Sequence, residues 1–414
     1  MPNPPTTLTS EFPALHIYST DYTERWNHAS VTPISTTSDW TTNISVSMRN
    51  VSEEFAFEGL RADIRGRGNS TRYQPKRPYR LRMAQAIQML DSPATARNWA
   101  LIASHSDKTL LRHYGAYHLS SLLGTMYFSP HARFIDLYLN GVYQGVYLMT
   151  DHMNENVPGR ANLLANNDPT ISEFLIELDG RAPTGQIYGQ EFFTVDGQHF
   201  DLRFPDSSNV ERQRAFAEYA RNYVYRVNRA LESGVWSDIT QLIDPASFVD
   251  YYLVREWYRC VDAGWTSVHF AIRGQGENRR LFMGPLWDFD LSAGNAYYAG
   301  GYRTDGIYVG EVNRWFRQLL MVPEFRSLVQ DRWNELSNDH FVRSMNHIAF
   351  MAVRYQASFE RNFEVWHIMG IYVWPNPPEL VPIDTFIGQV SWKLRWLEER
   401  KAWLSNHFNS ASFL

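Results

Sequence analysis

The sequence predicts an α+β fold, with a β-rich first half and a mostly helical second half. Short alternating runs between turn residues dominate positions 14–83. A strong hairpin signal follows, the pair Asn140-Gly141 between two apolar runs. Beyond about residue 200, apolar residues recur at helical spacing over long stretches. The layout gives a Pro/Thr-rich flexible N-terminus over 1–12, a β-rich lobe over 13–200 and a mostly helical lobe over 201–414. A cleft between two lobes is the default place for a ligand.

In order, strands are expected over 15–18, 43–48, 60–65 and 79–83, the last with clean alternation of Tyr79, Leu81 and Met83 against Arg80 and Arg82. A helix is expected over 109–123, because Leu110, Leu111, Tyr114, Tyr117, Leu119 and Leu122 fall on one stripe behind Asp107 as N-cap. The hairpin 134–149 and a strand over 174–178 complete the first half. Helices then read over 209–232, 245–261, 324–367 and 384–408. Trp392, Trp396 and Trp403 in the last of these fit a packed core better than a sugar platform.

Composition narrows the function classes. With 414 residues, 44% hydrophobic and 20% charged, the chain is a folded protein of ordinary make-up. A formal charge of −5 gives no general attraction to nucleic acid or anionic membranes. Its one cysteine, Cys260, excludes an internal disulfide framework. No apolar run is long enough to predict a membrane span, and no signal peptide is visible.

The most informative stretch is Leu281-Phe282-Met283-Gly284-Pro285-Leu286-Trp287-Asp288-Phe289-Asp290. On an extended segment, carboxylates two apart point to one side. Like charges held together invite a cation, and hard oxygen ligands suit Mg²⁺ or Mn²⁺ on a phosphorylated substrate. The apolar flanks Trp287, Phe289 and Leu291 argue against two solvated surface aspartates. A second constellation is Arg65-Gly66-Arg67-Gly68-Asn69-Ser70-Thr71, followed by Lys76, Arg80 and Arg82 at one parity. It reads as a phosphate cradle or, equally, as a tight turn with solvated arginines. Asp262, at a helix end before a Gly-containing loop, is either a catalytic carboxylate or a helix-terminal hydrogen-bonding residue.

Taken in order, Arg65 to Thr71 with Lys76-Arg77-Pro78-Tyr79, then Ser106 to Arg112, Asn140 to Tyr147 and Gly284 to Asp290 resemble the spore-coat CotH kinase family. The resemblance covers roughly residues 14–300. It implies an atypical protein-kinase-like, two-lobed fold that uses ATP and Mg²⁺ or Mn²⁺ to phosphorylate Ser/Thr hydroxyls of a protein substrate. By that resemblance Asp262 is the catalytic aspartate, and Asp288, with Asp290 beside it, holds the metal. Lys76 is the nucleotide-phosphate lysine, with Arg80 as its competitor, and the Arg65, Gly66, Gly68 turn lies over the phosphates. An acidic partner for the lysine would come from Glu177 or Asp151. The resemblance also leans towards a secreted or cell-surface protein, read here as a monomer. One departure stands out: family members often carry Asn five residues after the catalytic aspartate, to bind a second metal, and here that position is Ser267. This substitution motivates an alternative, a catalytically silent scaffold or surface-assembly protein of the same fold. Transfer of AMP to protein is a further option.

Overall fold

Alternating apolar residues in the first part of the chain close a barrel. The computed structural model describes residues 10–19, 40–153, 155–184 and 191–413, so most of the flexible N-terminus expected over 1–12 lies outside the described residues. Strands β1 (Ala14–Tyr18), β2 (Thr41–Arg49), β3 (Phe57–Gly66), β4 (Tyr79–Gln88) and β5 (Thr95–Ile102) precede helix α1 (Arg112–Leu123). The hairpin β6 (Ala132–Leu139) and β7 (Val142–Asp151) follows, in the order β1-β2-β3-β4-β5-β7-β6 around the barrel. Every pairing is antiparallel except the closing one, where β1 runs parallel to β6 from Ala14↔Asp136 to Ile17↔Leu139. Closure leaves no edge strand exposed.

Period-2 patterning fills the interior. Leu15, Ile17, Val46, Ile64, Leu81, Trp99, Leu137 and Met149 are buried in one cluster, while Arg80 and Arg82 alternate with Tyr79, Leu81 and Met83 on the other side of β4. The Asn140-Gly141 turn has φ of 47° and 81°, the left-handed pair that a two-residue hairpin requires. Helix α1 starts at Arg112, later than expected, so Asp107 is not its N-cap residue; its Oδ1 accepts from Thr109 N at 3.0 Å and its Oδ2 from Arg112 N, the first amide of the helix, at 2.9 Å.

A second sheet is formed by β8 (Phe174–Leu178), β9 (Glu191–Val195), β10 (Gln198–Phe204), β11 (Val268–Arg273) and β12 (Arg280–Met283), in the order β12-β11-β8-β10-β9. Helix α2 (Val210–Ser233) starts at Asn209, whose side chain accepts from Arg212 N, and stops at Gly234 with φ 68°. After α3 (Trp236–Thr240), α4 (Pro245–Trp257) is capped by Asp244, which accepts from Ser247 N. Next come α5 (Val309–Val312), α6 (Arg314–Leu319), α7 (Pro323–Leu336), α8 (His340–Arg354), α9 (Gln356–Val365) and α10 (Phe386–Phe408). A fully buried ion pair, Arg400 Nη2 to Glu256 Oε1 at 2.7 Å, ties α10 to α4.

The chain is thus mixed α+β, with strands gathered early and helices later. Barrel closure is invisible to local patterns, since it pairs residues more than a hundred apart. Two compact units result, one from segments 1–114, 131–160 and 347–392, the other from 115–130, 161–346 and 393–414. They interleave along the sequence, whereas the sequence reading makes a single cut near residue 200.

Candidate active site

In the second unit, Asp262 follows helix α4, and Asp288 and Asp290 follow the β11–β12 hairpin. Asp262 sits in a short 3₁₀ turn, Val261–Gly264, just past the end of α4. Strand β12 ends at Met283, so Asp288 and Asp290 are not on a strand as the alternation suggested. Asp288 instead adopts φ 62°, which turns the chain so that carboxylate oxygens of the two residues lie within 4.8 Å. A left-handed non-glycine residue costs roughly 1–2 kcal/mol and marks a position held by its surroundings.

The electrostatics follow from this crowding. Burial, then the neighbouring Asp288, pushes the Asp262 carboxyl up to about 6, although Arg181 and Arg255 pull it back. Burial, Asp288 and Asp262 together drive Asp290 well above the ordinary carboxylate range. Asp288 and Asp290, whose oxygens converge and whose charges disfavour each other, are the kind of donors that a hard divalent cation relieves. The residues present therefore fit Mg²⁺ or Mn²⁺.

Two residues organise this cluster: Ser267, which the sequence singled out only as a departure from the family pattern, and Arg255, which sequence reasoning missed. Ser267, with φ 57°, donates from its Oγ to Asp288 Oδ2 at 3.0 Å. Arg255, fully buried on α4, donates from Nη2 to the carbonyls of Ser267 and Trp287 at 2.8 Å each, and from Nη1 to Cys260 Sγ at 2.9 Å. Its guanidinium also lies 4.7 Å from the Phe289 ring centre. A signal existed in the sequence: one arginine amid Tyr251, Tyr252, Leu253, Val254 and Trp257. Beneath the same region, Arg203 grips Glu177 Oε2 at 2.5 Å and Asp201 Oδ2 at 3.0 Å, with His269 Nε2 at 3.4 Å from Glu177.

In the first unit, the glycine turn and the arginines come together, but Lys76 does not join them. Gly68 has φ 81°, and a Cβ there would fall 2.1 Å from Thr71 Oγ1, so the turn strongly favours glycine. Gly66 ends β3 opposite Tyr79. Arg65 and Arg80 face each other in register, and the guanidinium carbons of Arg65, Arg80 and Arg82 lie 4.7, 5.4 and 4.1 Å from the Trp40 ring centre. Burial, followed by Arg65 and Arg82, brings Arg80 down to about 9. Arg80 is held by Asn98 Oδ1 at 2.8 Å.

Lys76 precedes β4 and is 1% exposed, so it does not line a face with Arg80 and Arg82 as shared parity implied. Its Nζ donates to the Val146 carbonyl and to Asn362 Oδ1 at 2.8 Å, 4.7 Å from the Tyr147 ring centre. Burial drives this ammonium well below its ordinary value, against the pull of Asp136 and Asp107. Asn362 reaches the strand because Gly145 has no Cβ; one would lie 2.5 Å from Asn362 Oδ1. The two acids considered as its partner are engaged elsewhere, Asp151 with Arg160 at 2.6 Å and Glu177 with Arg203.

A family profile described as CotH kinase protein matches residues 64–404. The chain belongs to the CotH kinase family. The CotH match takes in the glycine turn, Asp262, Asp288 and Asp290, and runs into α10. The chain is also similar to Inner spore coat protein H of Bacillus subtilis (strain 168), with 22% identity over 365 residues, 84% of this chain and 88% of that protein. Among the described residues, no helix is long and apolar enough to cross a membrane.

Proposed function

We propose that this CotH-family chain is an atypical, two-lobed kinase that transfers the γ-phosphoryl group of ATP to Ser or Thr hydroxyls of a protein, with a divalent metal. The observation that carries the reading is the convergence of the Asp288 and Asp290 carboxylate oxygens within 4.8 Å, with Asp262 near enough for the Asp288 charge, after burial, to push its carboxyl up to about 6. A base of that strength can accept a hydroxyl proton near neutral pH as the oxygen attacks phosphorus. Asp288 and Asp290 would hold Mg²⁺ or Mn²⁺, which when bound supplies charge neutralisation for the phosphates. Arg65 and Arg80, with the Gly66–Gly68 turn, are the groups for the nucleotide phosphates. Of the two cations the sequence put forward, Arg80 keeps partial solvent access while Lys76 is enclosed.

The test is incubation with γ-labelled ATP, Mn²⁺ and a Ser-rich basic acceptor. Label should reach the acceptor with the native chain and be lost with Asp262→Asn and with Asp288→Asn. Full activity in both variants would remove the mechanism. Label transferred from α-labelled ATP instead would identify AMP as the moiety moved.

Ser267 in place of Asn and the enclosed Lys76 favour a second reading, a catalytically silent scaffold of the same fold. Calorimetric titration separates the two, because a scaffold binds no ATP in the presence of Mg²⁺ or Mn²⁺.

A further inference from the structure

We infer that Arg255 is the positioning residue of the carboxylate cluster, holding Ser267 and Asp288 in the left-handed conformations that bring their side chains together. The inference rests on the metal-dependent reading above. Ser267 and Asp288 have φ of 57° and 62°, where L-residues other than Asn, Asp and Gly are rare. One nitrogen, Arg255 Nη2, donates to the Ser267 carbonyl and to the Trp287 carbonyl immediately before Asp288. On the far side of Asp288, Phe289 stacks on the same guanidinium. Asp288 is therefore clamped from both neighbours in sequence. The other nitrogen, Nη1, reaches Cys260, two residues before Asp262, and the Cys260 thiol in turn donates to the Asp288 carbonyl at 3.5 Å.

One planar fork thus spans the two connections that carry Asp262 with Ser267 and Asp288. Guanidinium geometry is needed, because an ammonium is a single point on a flexible stem and cannot serve three separated acceptors together. Arg255 touches none of the reacting groups; it acts through the backbone that aims them.

The test uses the full chain and Mn²⁺ alone, titrated by calorimetry, beside thermal unfolding. Arg255→Lys is expected to weaken Mn²⁺ binding about tenfold. Arg400→Lys, which disturbs an equally buried ion pair within the same unit, serves as control and should leave Mn²⁺ affinity unchanged within about twofold. Cys260→Ala, a milder change that removes the Nη1 partner together with the thiol's own hydrogen bond to the Asp288 carbonyl, should weaken Mn²⁺ binding about threefold and covers the case in which Arg255→Lys does not fold. Unchanged affinity in both Arg255→Lys and Cys260→Ala overturns the inference, as does equal weakening in Arg400→Lys. Absence of Mn²⁺ binding by the native chain instead removes the metal-dependent reading itself, and the inference with it.

Discussion

Ser267 Oγ donates to Asp288 Oδ2 at 3.0 Å, and both residues hold left-handed backbone. The pair joins the loop after Asp262 to the turn after β12. It also sits where the resemblance to the family leads one to expect Asn. Asparagine tolerates positive φ better than serine does and offers a carbonyl oxygen as a ligand. Ser267→Asn is expected to raise the melting temperature by about 1–3 °C and to increase Mn²⁺ stoichiometry from one to two per chain. Calorimetry with Mn²⁺ and ATP checks both stoichiometries.

Asp262→Asn and Asp288→Asn should each lower phosphoryl transfer by about 100-fold or more, with melting temperatures no lower than the native chain's. Both substitutions remove a like charge from a crowded cluster, so stability is expected to hold or rise. Transfer from γ-labelled ATP and thermal scans in parallel give the two readouts.

The raised carboxyls set a pH dependence. Asp262 titrates near 6 in the folded chain against an ordinary 3.8, and Asp201, pushed up mainly by burial, behaves alike. The folded state binds more protons between these values, so stability contributed by these groups is fully present below about 3.8. It is lost as pH rises through about 6. Without divalent metal, the fall in melting temperature between pH 4 and 6.5 should be shallower in Asp262→Asn than in the native chain.

Lys76 and Arg80 should separate cleanly. Lys76→Met leaves the Val146 carbonyl and Asn362 Oδ1 without their shared donor, and is expected to destabilise the chain by about 2 kcal/mol. Arg80→Ala removes a half-buried member of the arginine group around Trp40. It should weaken ATP binding about tenfold while moving the melting temperature by no more than about 2 °C. Denaturant titration and nucleotide calorimetry on both variants test this division.

Gly68→Ala is expected to destabilise by about 2 kcal/mol, since the new Cβ meets Thr71 Oγ1 and φ is 81°. Adding Thr71→Ala should restore only the steric share and leave the conformational cost of about 1 kcal/mol. Full restoration by the second change would contradict the φ argument.

Much of this was legible in the residues. The Asn140-Gly141 hairpin, the capped starts of α2 and α4 and the inward face of β4 follow from local chemistry that sequence displays directly. The glycine turn likewise announced itself at Gly68. What stayed hidden depends on distant partners. The left-handed turn at Asp288 is stabilised by Arg255, 33 residues earlier, so alternation along 281–290 suggested a strand where none forms. Lys76 shares parity with Arg80, yet the residues Arg77-Pro78 intervene before β4 begins, and Asn362 supplies its partner from almost 300 residues away. The fully buried Arg400 reads as a surface residue by type and becomes visible only through what it touches.

The parallel seam between β1 and β6 bears on how the polypeptide is made. Ala14 meets Asp136 across it, 136 − 14 = 122 residues later. At translation speeds of about 5–20 residues per second, β1 waits some 6–24 s for β6 to be synthesised. During that interval the nascent β1–β5 ribbon presents an open flank, which makes this stretch the part of the chain with most to gain from a holding chaperone.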